Sequence, residues 1–215
     1  MNRMTTLAAV AAALLILQAC STSSPVQDGA LDCEGLTRVP SSSLAGVCVQ
    51  DGVAGGYHSA LLDNMDYVIR PVGNSTSSVN VGRPAGTRFQ VGPQQKADLQ
   101  AMMPEAFKET VAGLGLTPVS EPGAGVVEVR GQMLDVLFET PEDSESGAKY
   151  LFERMARATL VVEFYDSVTD ELILRAFDSR VSEPVDAEAE VGAEVEAIAG
   201  LWQAVLTEAA AYLPN

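Results

Sequence analysis

Few residues in this chain have the types and spacing that chemistry needs: one histidine, His58, three cysteines, Cys20, Cys33 and Cys48, and an acidic cluster of Glu139, Glu142, Asp143 and Glu145. A single imidazole excludes any metal or catalytic site built on several. As a general base His58 would need a nucleophile or an orienting acid, and the chain has no Gly-x-Ser-x-Gly elbow, so in its Gly-rich surroundings it reads as a surface residue. The four carboxylates could ligate a hard cation such as Ca2+. They lack the Asp-x-Asp-x-Asp-Gly register of a dedicated calcium loop, however, and a solvated loop is the simpler reading. Gly123-Ala124-Gly125 precedes a strand rather than a helix, which makes it a turn and not a phosphate cradle. Arg83 and Arg88 share a loop and could bind an anion, although paired loop arginines are ordinarily solvated. The expectation is of no catalytic residue, no metal ligand and no cofactor.

The cysteines carry more information. Arg3 supplies a positive n-region, Leu7 to Leu17 is an apolar run, and Leu17-Gln18-Ala19-Cys20 closes it with small residues. The apolar run is far shorter than the roughly 20 residues a helix needs to span a bilayer, so it reads as a secretory signal. The Leu-x-Ala-Cys order resembles the bacterial lipobox. That resemblance implies cleavage before Cys20, diacylation of its sulfur and acylation of its nitrogen, so that Cys20 is the lipidation site. Three acyl chains, at about 0.8 kcal/mol per buried CH2, anchor a chain durably. Ser21 stands where an Asp would signal inner-membrane retention in lipoproteins of this type, which points to the periplasmic face of the outer membrane. Removing residues 1–19 takes away one base, Arg3, and no acid, leaving 12 bases against 29 acids. Lipid rather than charge must then hold the protein to an anionic membrane.

Two cysteines remain in an oxidising compartment, and a Cys33–Cys48 disulfide is the economical pairing; two buried free thiols are the alternative. Closing a loop of about 15 residues stabilises by roughly 3 kcal/mol on the chain-entropy model. A zinc site would want further ligands at short spacing.

The elements that would position these residues follow from periodicity. Ser21 to Leu31 has none and reads as a flexible tether. Asp66 to Val72 reads as a short strand stopped at Pro71. Leu99, Met103, Phe107, Val111 and Leu114 step by three or four and predict a helix over 94–114, with a kink or a start near Met103 because Pro104 sits inside it. Val126 to Phe138 is a strand whose apolar phase switches, with a bulge expected at Gly131. Ala158, Leu160, Val162 and Phe164 alternate with more polar neighbours, Asp166 to Asp170 turns the chain, and Leu172, Leu174 and Ala176 resume the inward face, which predicts a hairpin. Pro184 to Leu213 reads as a long helix with Asp186, Glu188 and Glu190 in its first turns. Its buried stripe holds Val191, Val195, Ile198, Trp202, Val205 and Ala209, and Glu194, Glu196 and Glu208 fall outside the stripe.

With 215 residues, 47% of them apolar, the chain can bury one ordinary core. Thirteen Lys and Arg against 29 Asp and Glu, thinly spread, exclude a binder of nucleic-acid phosphates. The predicted organisation is a signal peptide over 1–19, a tether over 20–31 and a single α+β domain over 32–215, a mixed, largely antiparallel sheet packed with two helices.

The order and spacing of the lipobox, the segment Tyr67-Val68-Ile69-Arg70-Pro71-Val72, the stretch from Gly123 to Val129 and the hairpin from Val162 to Asp178 resemble a group of bacterial lipoproteins catalogued as domain of unknown function 3313. The resemblance runs from about Tyr57 to Leu213. In those proteins the hairpin turn often reads Asp-Ser-x-Thr-Gly-Glu; here Asp170 replaces the glycine, and Asp also tolerates the left-handed conformation. The resemblance implies a cell-envelope location and an α+β domain, and it brings no catalytic residue. The expected role is a binding or assembly component with an envelope protein partner, the alternative being a carrier of a small molecule or lipid in an apolar pocket between helix and sheet. An open apolar patch at a sheet edge would mark the first, an enclosed pocket the second.

Overall fold

The computed structural model describes residues 31–53, 55–68, 88–139, 153–186 and 192–214. The longest strands are β6, Val126–Glu139, and β7, Glu153–Asp166, which pair antiparallel; β7 turns through Ser167–Asp170 into β8, Leu172–Val181. Outward from β8 lie β2, Gly46–Val49, and then β1, Thr37–Val39. On the other side β3, Ser59–Val68, runs parallel to β6, and the two residues of β5, Thr117–Pro118, run parallel to the start of β3. Two short strands extend this path: β4, Arg88–Gln90, pairs with the end of β6, and β9, Val185–Asp186, with the beginning of β7. The fold class is α+β, with a mixed, largely antiparallel sheet and two helices, α1 over Pro93–Gly113 and α2 over Ala193–Ala210.

Both helices cover one face of the sheet. The inward residues of β7, from Ala156 and Ala158 through Leu160 and Val162 to Phe164, are buried in one cluster with Val195, Ile198, Trp202 and Val205 of α2 and Leu99, Met103, Phe107 and Val111 of α1. The stripes that the spacing predicts on both helices are thus the faces that reach the sheet. The hairpin forms as predicted, and Asp170 takes the left-handed conformation at φ 58°.

Four local expectations are corrected. The register shift in β6 falls between Leu134 and Leu137, where Asp135 has φ 56°, and Gly131 is a regular strand residue paired with Met65 and Val162. Gly131 has a different consequence: a Cβ there would displace the thioether end of Met65 and approach Trp202 Nε1 to 3.0 Å. Helix α1 is one element through Pro104, which removes the start near Met103, one of the two alternatives expected there. Chain that reads as the first turn of the last helix is strand at Val185–Asp186, and α2 begins only at Ala193, after Gly192 in the left-handed region; Glu188, Glu190 and Val191 lie outside the described residues. The acids in its first turn are Glu194 and Glu196, where they complement the helix dipole. Strand β3 begins at Ser59, seven residues before the predicted start, while Ile69 to Val72 lie outside the described residues.

The opposite face of the sheet is polar and partly covered by the segment 31–36. Cys33 is disulfide-bonded to Cys48 of β2, with Cα atoms 5.4 Å apart, and Cys33 and Leu36 pack on a second cluster of Cys48, Leu134, Val161 and Phe177. Beside it Arg175 donates to Glu163 at 2.6 Å, to Glu34 at 3.0 Å and to the Asp32 carbonyl at 2.8 Å. Arg175 and Glu163 are each 6% exposed, a buried ion pair whose remaining donors are taken up by the covering segment.

Candidate functional site

A groove of about 930 Å3 opens where α1 stands off from the edge of the sheet. Its geometry follows from the strand lengths. β5 covers β3 only at Ser59 and Ala60, and Val119 N–H donates to the Ala60 carbonyl before the chain turns away. From Leu61 onward no strand among the described residues pairs with the outer edge of β3. The floor is Leu62 and Met65, with Leu61 lining the strand edge, one wall is Met103, Pro104 and Phe107 of α1, and the other is Pro118 to Glu121. The register of β3 against β6 slips between Leu62 and Asn64, so that Leu62 pairs with Val129 and Met65 with Gly131 across the irregularity. Both therefore turn toward the helices, and Asp63, at the slip, is left at the rim with Arg130 Nε 3.6 Å away.

The α1 wall is set by its own sequence. Gly92 N–H donates to Gln95 Oε1 at 2.8 Å, Pro93 starts the helix where its missing N–H costs nothing, and Gln95 Nε2 continues to Glu194. Pro104 is on the exposed side. Its lack of an N–H removes the usual donor to the Gln100 carbonyl four residues back, and Gln100 and Pro104 are both exposed and line the groove. The charges at the mouth have both signs, Asp63 and Glu121 against Lys108, and Lys108 is paired with Glu105 at 2.5 Å. The groove is thus apolar inside and polar at its lip, where carboxylates outnumber the one ammonium.

Elsewhere the structure separates the candidate residues. His58 is exposed, its Nδ1 is 2.9 Å from Ser59 Oγ, and its ring lies against Gly125. Ser59 is buried, so the pair presents no nucleophile to a substrate. Gly123 to Gly125 form the expected turn, with Gly125 at φ 73° and Val126 N–H donating to the Gly123 carbonyl. Of the acidic cluster only Glu139 is described; it is buried and accepts from Arg157 Nε at 2.9 Å and Nη2 at 2.5 Å. Glu142, Asp143 and Glu145 lie outside the described residues, as do Cys20, Arg83 and the side chain of Arg88. Glu194, read as outside the buried stripe, is itself buried and accepts from Arg154 at 2.7 Å. Among the described residues no three His, Cys, Asp or Glu side chains come together as metal ligands, and no helix is long and apolar enough to cross a membrane.

Around the hairpin turn the electrostatics are structural. The N–H groups of Thr169 and Val168 hold the Asp166 carboxyl below its ordinary range, and Tyr57 donates to it at 3.1 Å. Burial, then the Asp166 bond and charge, push the Tyr57 hydroxyl up to about 12. Arg130 lies over the Tyr165 ring at 4.0 Å and bonds Glu128 and Asp170, each at 2.6 Å, tying β6 to the turn.

No protein-family model and no curated protein matches the chain. Among solved structures it is similar to the PelC dodecamer from Paraburkholderia phytofirmans at 10% identity, covering 75% of this chain and 93% of that one with a TM-score of 0.35. A DUF330 protein from Xanthomonas campestris matches at 12% identity, over 74% of this chain and 86% of that one, also with a TM-score of 0.35.

Proposed function

We propose that the protein is a lipid-anchored binding component of the bacterial cell envelope, acylated at Cys20, held at the periplasmic face of the outer membrane, and binding through the open groove between α1 and the β3 edge. One observation carries the choice of the groove: it is apolar and open at a sheet edge, whereas the large apolar side chains exposed elsewhere among the described residues, Leu31, Val168 and Val181, stand singly. An open patch of this kind suits a partner better than an enclosed carrier site does. The lipobox and the resemblance to the envelope lipoproteins support the location. A binding role, not an enzymatic one, fits the described residues, where no nucleophile is presented beside a base.

The groove is tested with a photo-crosslinking side chain at Gln100, on the exposed wall, and a control at Val168, on the hairpin turn. In the full-length protein in its envelope, light should give a discrete adduct from position 100 and none from 168; adducts from both, or none from 100, count against the groove. The anchor is tested by Cys20→Ala, which should accumulate as an unprocessed, unlipidated precursor. Normal acylation of that variant would refute the anchor. A carrier of a small apolar molecule in the same groove is the second reading, and one buried donor behind the groove wall favours it.

A further inference from the structure

Resting on that reading of the groove as the binding element, we infer that the groove continues behind the Met65 side chain to the indole N–H of Trp202, and that this inner end takes a small, neutral, apolar molecule bearing one carbonyl-type acceptor. Trp202 is fully buried, and its Nε1 has no hydrogen-bond partner among the described residues. A buried indole N–H usually has a partner, so an orphaned one needs an explanation. Here the position of the atom supplies it. Trp202 Nε1 lies 3.0 Å, and Met65 Sδ 2.5 Å, from the point that a Cβ on Gly131 would occupy. The glycine therefore leaves a space between α2 and β6 that no side chain of its own fills, and the thioether end of Met65 occupies it. Met65 is also a floor residue of the groove, and Phe107, a wall residue, sits against the indole with ring centroids 6.3 Å apart. The Met65 side chain thus borders both the groove and the space beside the unused donor.

The chemistry of this plug and of its surroundings sets the ligand. Methionine is unbranched and moves among rotamers at little cost, and its sulfur is a weak acceptor, so it fills the space without satisfying the N–H. A ligand oxygen would. The residues that meet there, Met65, Phe107, Gly131 and Trp202, carry no charge, so a carboxylate or phosphate would be buried without a counter-cation and is selected against. Leu62 and Met103 extend the apolar lining toward the mouth. A ketone, ester or quinone carbonyl on a hydrocarbon body meets all of these requirements.

Trp202 is the only tryptophan, so its emission reports on this point alone. The full-length lipidated protein in phosphatidylcholine vesicles is titrated with 2-nonanone, and in parallel with 1-nonene, a chain of the same length without the acceptor. The ketone should shift the emission maximum to longer wavelength, saturably, and, added to the protein in its envelope, should suppress the light-dependent adduct from position 100; the alkene should do neither. Met65→Ala, which removes the plug, should lower the half-saturating ketone concentration several-fold. A shift that rises without saturating, or one that the alkene reproduces, overturns the acceptor site and leaves the groove adduct standing. If the adduct itself is absent, the underlying reading of the groove falls instead. Should Met65→Ala fail to fold, the ketone and alkene titrations of the unsubstituted protein, with the adduct competition, decide the matter alone.

Discussion

Arg175 and Glu163 show how a surface pattern becomes a buried one. Along β7 and β8 they alternate with apolar neighbours, as side chains on a solvated sheet face do. The segment that covers them is more than 120 residues earlier in the chain, so nothing local announces that they are sealed. Among the described residues, removing the cation should leave the Glu163 carboxylate with the Tyr165 hydroxyl at 3.1 Å as its side-chain donor. Arg175→Met is therefore expected to destabilise by about 3 kcal/mol in urea unfolding, the scale for breaking one side of a buried pair, and a loss within about 0.5 kcal/mol would mean that the pair is solvated after all. Tyr57 makes a second prediction at this scale. Its hydroxyl ionises near 10 in an unfolded chain and is pushed up to about 12 in the fold, so folding favours the neutral form. That contribution is complete below pH 10 and is lost as pH rises toward 12. Melting temperature followed from pH 9 to 12 should fall less steeply for Tyr57→Phe than for the unsubstituted protein.

At the scale of elements, the clearest test is on α2. Trp202 is fully buried against the sheet, whereas Glu196 is exposed on the same helix. Trp202→Ala should lose about 3–5 kcal/mol and lower the melting temperature on the order of ten degrees; Glu196→Ala should barely move it. An unchanged melt for Trp202→Ala would contradict the packing. The elements readable from sequence are those whose burial is one-sided and regular: the stripe from Leu99 to Val111, the alternation from Ala156 to Phe164, and the face from Val195 to Ala209. β3 was legible only at its end. Leu61 and Leu62 are adjacent apolar residues facing opposite sides, and the slip at Asp63 breaks the period of two just where the groove floor lies. The sequence puts the start of α2 too early because Asp186 and its acidic successors imitate a helix N-terminus, while the backbone at Val185–Asp186 is claimed by pairing with β7. The groove was not legible, since its floor and walls come from three separate stretches, 61–65, 100–108 and 118–121, that only the tertiary fold brings together.

For the whole molecule, the two sheet faces differ in what holds them. On the helix face one continuous cluster joins β6, β7, β8 and both helices. On the other face the covering segment is held by the small cluster around Phe177, by the donors of Arg175, and by the Cys33–Cys48 bridge. Among the described residues, strands β1 and β2 pair with the rest of the sheet only through β8, and β2 adds Val47 to the helix-face cluster. Reducing the disulfide removes a constraint of roughly 3 kcal/mol on the unfolded chain. Its structural effect should nonetheless be confined, because local opening follows the units with fewest buried contacts. Under the proposed anchoring at Cys20, this clasp is also where the tethered chain enters the domain. Hydrogen exchange measured with and without a reductant should therefore speed up in residues 31–49, and the amides of β6, β7 and α2 should stay slow. Uniform acceleration would show that the bridge supports the whole fold rather than its edge, and no change at 31–49 would show that the Arg175 contacts hold the segment without it.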